Sequence, residues 1–194
     1  MKGEFVIWTY KTVKHASAVK LAPGSGFRDT GGALRNGRTL KQSFPTGVRL
    51  TMPADRPMNT LLPDNVYNVN MMIVASKRLE DHLEKHAVPD VEYLPVVVIN
   101  HKGDPVPDPF FIVHPVNHLD CVDEERSVFR RSDIDNSFEQ FDRMVIDPKR
   151  VPPERQLFRI SGYWDATLLR RTFADALARE KFSGLAFEEL PTDE

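Results

Sequence analysis

Proline is the residue that most constrains this fold. The 194-residue chain contains 15 prolines against 10 glycines, and three of the prolines fall close together at positions 53, 57 and 63. Each proline fixes φ and removes a backbone hydrogen-bond donor, so it excludes a continuous helix or a central strand where it lies. The sequence therefore predicts many short elements joined by long, proline-rich connections.

The pattern of apolar residues predicts strands mixed with two principal helices. Ser76 is a suitable N-cap for a helix through His86, and Asp165 for a second helix through about Lys181. The predicted strands are residues 4–10, 48–52, 69–75, 93–100, 110–114, 143–147, 156–161 and 185–190. The fourth and fifth strands should form a hairpin. Because strands and helices do not alternate regularly, we expect an α+β fold with a mixed or mostly antiparallel sheet.

Charge is distributed unevenly along the chain. Residues 1–47 contain eight Lys/Arg against two Asp/Glu, a net charge of +6, and the remainder has 18 against 26, a net charge of −8. We expect a single domain, in which residues 1–90 form a basic, Gly/Pro-rich arm or subdomain and residues 91–190 form the core. The acidic remainder of the chain suits a cationic partner. The same charge asymmetry also fits two solvated surfaces of different charge that bind no partner.

The sequence predicts a cytoplasmic protein without a membrane partner. Its opening MKGEFVIWTYKT has a short apolar run that alternates with polar residues and no small-residue cleavage site. No apolar stretch approaches the roughly 20 residues that span a bilayer. The single Cys121 cannot form an internal disulfide, which agrees with a reducing compartment.

Four potential metal ligands lie within eight residues of the sequence. They are His114, His118, Asp120 and Cys121. All four side-chain types can bind a transition metal, but their spacing matches no zinc pattern. We therefore interpret the segment as a turn with solvated histidines and a buried cysteine, and expect no metal. His82 and His86 share a helix face without the glutamate of HExxH, so they too predict surface histidines.

No motif for catalysis or cofactor binding is complete. The sequence lacks the GxSxG elbow of serine hydrolases and the GxxxxGK[ST] loop of nucleotide-binding proteins. Gly24 and Gly26 belong to a glycine-rich loop, which we interpret as mobile. The loop alternates basic residues with Phe27 and Phe44, as in some nucleic-acid binders. Because the rest of the chain is acidic, we expect no nucleic-acid partner, no cofactor and no catalytic residue.

An acidic segment and two arginines are the candidate contact residues. The acids are Asp120, Asp123, Glu124 and Glu125. They fit a solvated turn, a cation site or a patch for a basic partner, although the ligand pattern of an EF-hand is absent. Arg130 and Arg131 follow closely, and they fit either internal ion pairs or partner contacts.

Four sequence blocks carry a resemblance to a known family. They are LDCVDEERS at residues 119–127, FDRMVID at 141–147, RQLFRI at 155–160 and FSGLAFE at 182–188. In this order they resemble immunity protein family eleven of bacterial polymorphic toxin systems, formerly a domain of unknown function. The resemblance covers residues 94–190. It implies a cytoplasmic bacterial protein, encoded in a gene adjacent to that of a toxin, which neutralises this toxin, often a nuclease-like one, by direct binding and without catalytic residues.

The leading hypothesis is therefore an immunity protein that binds and neutralises a cognate toxin. The four acids and two arginines would lie at the contact surface. Two alternatives remain open from the residues alone. One is a small metal-dependent enzyme that uses His114, His118 and Asp120, and the other is an interaction module that binds a partner without inhibiting it.

Overall fold

The computed structural model describes residues 3–25, 27, 32–86 and 89–192 and has an α+β fold. Two α-helices in this part of the chain are α1 (Lys77–Lys85) and α2 (Arg171–Arg179). The strands are β1 (Phe5–Tyr10), β2 (Lys20–Leu21), β3 (Arg49–Thr51), β4 (Asn65–Val66), β5 (Ile73–Ser76), β6 (Val91–Ile99), β7 (Phe110–Pro115), β8 (Val128–Arg131), β9 (Phe138–Arg143), β10 (Leu157–Arg159), β11 (Thr167–Arg170) and β12 (Leu185–Glu189). A short 3-10 helix spans Pro148–Arg150.

Three sheets contain these strands. One has four antiparallel strands in the order β10-β11-β1-β12, and another has six in the order β2-β3-β6-β7-β5-β4. All pairs in the six-stranded sheet are antiparallel except β3 and β6, which run parallel. Strands β8 and β9 form a separate two-stranded hairpin. The prediction of a mixed or mostly antiparallel arrangement is confirmed, including the hairpin of β6 and β7.

The two larger sheets share a central hydrophobic core with the helices. Alternate residues of β1, Val6 and Trp8, enter this core beside Leu79 of α1 and Leu177 of α2. Ile73 of β5 enters it from the six-stranded sheet. Because strand side chains alternate between faces, each sheet also has an opposite face to bury.

Polypeptide from two other regions covers those opposite faces. Phe27, Leu34 and Leu40, from the glycine-rich loop region, pack over the six-stranded sheet. In this region Gly26 and residues 28–31 lie outside the described residues. Phe5 of β1 contacts a third cluster on the far side of the four-stranded sheet. That cluster also includes Phe141 of the β8–β9 hairpin, so the hairpin packs on the same hydrophobic cluster as β1.

Buried polar side chains join the two larger sheets. Asn65 of β4 accepts a hydrogen bond from Trp8 Nε1 at 3.1 Å and donates to Thr9 O and Gly184 O, each at 3.0 Å. Gly184 has φ +75°, and a Cβ there would lie 2.4 Å from Asn65 O, so only glycine fits. Arg159 of β10 donates to Met71 O at 2.9 Å and stacks on Trp164 at 3.9 Å. These contacts fix the spacing of the two sheets.

Helix α1 begins where the sequence indicates. Ser76 is its N-cap, and the Ser76 side chain accepts a hydrogen bond from Leu79 N at 3.3 Å. The second helix begins later than predicted, because residues Thr167–Arg170 form strand β11. Leu168 and Leu169 are both fully buried on opposite faces of the four-stranded sheet. The expected cap at Asp165 is therefore wrong, and Arg170 precedes α2 without a side-chain cap bond.

Two predicted strands are displaced. Residues 143–147 were expected to be a strand, but β9 ends at Arg143 and only an isolated bridge joins Val122 to Ile146. The strand expected from residue 69 begins at Ile73, because Met71 has φ 57° and the Asn68 side chain bonds the intervening backbone. Pro95 lies within β6 where β7 is the only paired neighbour, since β3 joins only at Val97. Its missing N–H therefore costs no ladder bond.

No helix in the described ranges is long and apolar enough to cross a membrane.

We predict that Asp64→Asn destabilises the protein at neutral pH. The Asp64 carboxylate accepts hydrogen bonds from Ser76 Oγ, Arg78 Nη1 and Ser183 N at 2.8–2.9 Å. Burial acts to raise the pKa of Asp64, but the bonds from Ser183 and Ser76 outweigh it and lower the pKa below 3.8. The stabilisation is therefore present above pH 3.8 and is lost as the pH falls through the lower folded pKa.

Urea unfolding at several pH values tests this prediction. The variant should lose about 1–2 kcal/mol at pH 7 relative to the wild type. The difference should shrink as the pH falls below 3.8, the ordinary pKa of aspartate. Asp108→Asn, at an exposed turn, is the matched control and should change little. A loss for Asp64→Asn that stays constant with pH would contradict the account.

Candidate partner-binding surface

The predicted acidic segment lies beside the β8–β9 hairpin. Its backbone is held by a hydrogen bond from Asp123 N to Val145 O at 2.9 Å and by a bridge between Val122 and Ile146. Cys121 and Val122 are buried in the third cluster. The same short segment therefore anchors itself through its apolar residues and presents its acids to solvent.

The four acids differ in what they contact. Asp123 is half-buried and accepts a hydrogen bond from Arg126 N at 3.2 Å, so it closes the local turn. Glu124 forms a 2.7 Å ion pair with Arg131. Asp120 and Glu125 are exposed and make no hydrogen bond or ion pair with the residues that the structure describes. Asp120 and Glu125 are thus the acids that a partner can reach without breaking an internal contact.

Both predicted arginines make internal ion pairs. Arg130 Nε contacts Glu139 at 2.8 Å across the hairpin. Arg131 is held more firmly, since it also donates to Asn136 O at 2.6 Å and lies 3.9 Å from the Phe138 ring centre. Of the two roles left open by the sequence, internal pairing is the one observed. Whether either arginine also contacts a partner stays a prediction.

Aromatic packing holds the hairpin in place. Phe129 of β8 lies 5.0 Å from Phe138 of β9 and 5.8 Å from Phe141, measured between ring centres. Phe141 in turn lies 5.0 Å from Tyr163, in an edge-to-face arrangement. The hairpin is fixed to the body by these contacts and by a hydrogen bond from Phe138 N to Gly162 O at 2.8 Å.

The surface around the hairpin is acidic. Residues 120–142 contain eight Asp/Glu against three arginines, a net charge of −5, while the whole chain has only −2. The eight acids are Asp120, Asp123, Glu124, Glu125, Asp133, Asp135, Glu139 and Asp142. We refer to the exposed side of residues 120–142 as the acidic surface. Such a surface attracts a cationic partner and accelerates its association.

One exposed apolar residue lies at the tip of this surface. Ile134, in the turn between β8 and β9, is 96% exposed as a whole residue. Sequence reasoning missed it because strand β8 (VFRR) and strand β9 (FEQFDR) are mostly polar and contain register shifts. An isoleucine between two aspartates, at residues 133–135, was the available signal.

The four potential metal ligands do not form a site. His114 is buried, with its Nε2 2.9 Å from Arg38 O, and the His118 ring packs against Gly37. Burial lowers the pKa of His118 to about 4 and raises the pKa of the Cys121 thiol to about 12. Burial of Cys121 confirms one prediction, whereas solvated histidines at 114 and 118 were wrong because the segment before residue 40 covers them.

One group of three carboxylates in the described residues is close enough to hold a metal ion. It comprises Glu80, Asp81 and Glu84 on α1. Lys77 already bridges Glu80 at 2.6 Å and Asp81 at 2.7 Å, so two of the three carboxylates are ion-paired within their own helix. The predicted pair His82 and His86 stacks at 4.1 Å between ring centres; His86 is exposed and His82 is half-buried against Phe182.

A second, less acidic surface surrounds a cleft of about 640 Å³. Tyr10, Tyr67 and Val69 line it, together with Lys11 and Arg56. Several exposed apolar side chains lie in the same part of the chain: Met58, Leu61, Tyr67, Val69 and Met71. The molecule thus offers the acidic surface and a mixed apolar cleft.

Comparison with known proteins assigns a family. The family model described as Immunity protein family (Imm11) matches residues 10–192. The chain belongs to this family. The match includes most of residues 1–90, which the sequence blocks at 119–188 did not cover. No curated protein matches the sequence. Membership in Imm11 suggests a role in toxin immunity and implies a toxin partner.

We predict that Asp135→Ala loosens the hairpin tip without unfolding the protein. The Asp135 carboxylate accepts hydrogen bonds from Ser137 N at 3.1 Å and from Ser137 Oγ at 2.7 Å, and these bonds lower its pKa. Amide hydrogen exchange should accelerate in residues 132–137 and not in β1. Asp135→Asn keeps an acceptor oxygen and serves as the control. Equal exchange in wild type and Asp135→Ala would show that these bonds do not order the tip.

Proposed function

We propose that this Imm11 protein binds a cognate bacterial toxin directly and neutralises it by covering the toxin's active site. The observation that carries the proposal is the family match over residues 10–192. The acidic surface supports direct binding, since its net charge of −5 exceeds that of the chain as a whole. Asp120, Glu125 and the rest of this surface would then form the charged rim of the contact.

A toxin with a basic active site fits this surface best. Nucleases bind the phosphate backbone through lysine and arginine side chains, so their active sites are positively charged. An acidic protein placed over such a site excludes the nucleic acid by both volume and charge. We therefore propose a nuclease-like toxin as the partner and the bacterial cytoplasm as the compartment.

In this proposal the protein acts stoichiometrically and has no catalytic role of its own. The enzyme alternative uses His114, His118 and Asp120. Within the described residues, the ligand atoms close enough to share a metal ion belong to Glu80, Asp81 and Glu84 instead. A non-inhibitory interaction module would also bind the toxin, but it would leave the toxin active. Measuring the toxin's remaining activity at increasing molar ratios of this protein to the toxin distinguishes the two.

The proposed function predicts how this protein acts on the toxin encoded by the adjacent gene. Co-expressed with this protein, that product should copurify as a complex, and its toxicity should be suppressed. In vitro, inhibition should be complete near equimolar protein. Failure to copurify together with failure to protect cells would overturn the proposed function.

Reversing the rim charges should slow association. Glu125→Lys and Asp120→Lys change exposed acids that have no hydrogen bond or ion pair within the described ranges, so the fold should be unaffected. Each should reduce the association rate constant by roughly threefold to tenfold at low salt, and less at high salt. Asp108→Lys, at an exposed turn outside the acidic surface, is the matched control for the change of charge. Equal rates for Glu125→Lys and Asp108→Lys would remove the acidic surface from the contact.

A further inference from the structure

We propose that Ile134 is the apolar anchor of the toxin contact, and that the β8–β9 tip enters a toxin pocket that is apolar at its centre and basic at its rim. The inference rests on the proposed function and names the chemistry of the surface that the toxin would present. It is carried by three features of the tip: its exposure, its rigidity and the charges beside it.

Ile134 is the most exposed large apolar side chain in the described residues. The whole residue is 96% exposed, compared with 80% for Met58 and 64% for Val69. Exposed apolar residues are common on protein surfaces, and exposure alone indicates little. A fully exposed aliphatic side chain in the turn of a hairpin differs, because it can enter a concave site without moving the rest of the surface.

The tip is held rigidly by its own hydrogen bonds. Ser132 N donates to Ser137 O at 2.8 Å and Asn136 N to Ser132 O at 3.0 Å, which close the turn. Ile134 N donates to Ser132 Oγ at 3.2 Å, and Asp135 binds Ser137. The backbone on both sides of Ile134 is therefore fixed before any partner arrives. A preordered anchor loses little conformational entropy on binding, which favours tight association.

The strand ends next to the turn are also fixed. Arg131 joins Glu124 to Asn136 O and stacks on Phe138, so the turn is tied to the acidic segment. Phe138 and Phe141 pack into the third cluster beneath it. These contacts join the turn to the third cluster on the four-stranded sheet.

The charges beside Ile134 select a cationic partner. Asp133 and Asp135 flank it directly, and Glu139 and Asp142 follow on β9. A tip-to-tip contact with a second copy of this chain is disfavoured, because two acidic tips would repel each other. An apolar pocket with a basic rim satisfies both the isoleucine and its flanking carboxylates.

The test compares Ile134→Ser with Met58→Ser in binding the purified adjacent-gene toxin. Both remove an exposed apolar side chain, so neither should change the thermal midpoint. Ile134→Ser should weaken the Kd by about 30-fold or more, while Met58→Ser should stay within about twofold of the wild type. A Kd for Ile134→Ser within about twofold of the wild type would overturn the inference and leave the proposed function standing.

Salt dependence separates the anchor from its rim. The Asp133→Asn variant should associate more slowly at about 0.05 M salt and like the wild type at about 0.5 M, because exposed charges are screened. The Ile134→Ser loss should persist at both, because it is apolar in origin. A loss for Ile134→Ser that disappears at high salt would overturn the anchor role.

Light scattering of the toxin-free protein tests the alternative occupant. The wild type should be monomeric. A wild-type dimer that Ile134→Ser converts to monomer, with toxin affinity unchanged, would assign the tip to self-association and overturn the inference. If the wild type does not bind the toxin at all, the proposed function fails, which is a separate outcome from normal binding by Ile134→Ser.

Discussion

Strand β1 (Phe5–Tyr10) is the constraint on which the rest of the structure depends. It lies between β11 and β12, so residues near the N-terminus complete a sheet built otherwise from the C-terminal third of the chain. Both of its faces are buried, with Val6 and Trp8 in the central core and Phe5 in the third cluster. A strand buried on both faces fixes the layers on either side of it. The single-domain organisation stays a prediction, but this pairing and that of β3 with β6 support it.

The acidic surface follows from this arrangement. The third cluster is the far face of the four-stranded sheet, and the segment that covers it must bury Cys121 and Phe141 while its remaining residues face solvent. Eight of the residues 120–142 are acidic, and Ile134 lies exposed in the turn of the hairpin. Structural and proposed binding roles are therefore divided along one short segment. The apolar side chains pack into the third cluster, and the exposed polar side chains are available to contact a partner.

Local signals predicted the fold better than they predicted the surface. Ser76 caps α1 as expected, because an N-cap bond depends on residues three positions apart. Strand β11 was missed because Leu169 also fits the apolar spacing of the following helix, and only pairing with β1 and β10 decides between the two. Of the acids at 120–125, three are exposed and Asp123 is half-buried, and their contact with a partner stays a prediction. The sequence did not single out Ile134 among the apolar residues, because its exposure depends on a hairpin that the sequence did not predict.

Hydrogen exchange of the protein alone and bound to the adjacent-gene toxin tests the central claim most directly. The account predicts slower amide exchange on binding in residues 120–142, strongest at the tip around Ile134, and little change at the cleft near Tyr67 and Val69. Slower exchange confined to the cleft, with residues 120–142 unchanged, would contradict it. That result would leave an immunity protein that meets its toxin through a different surface.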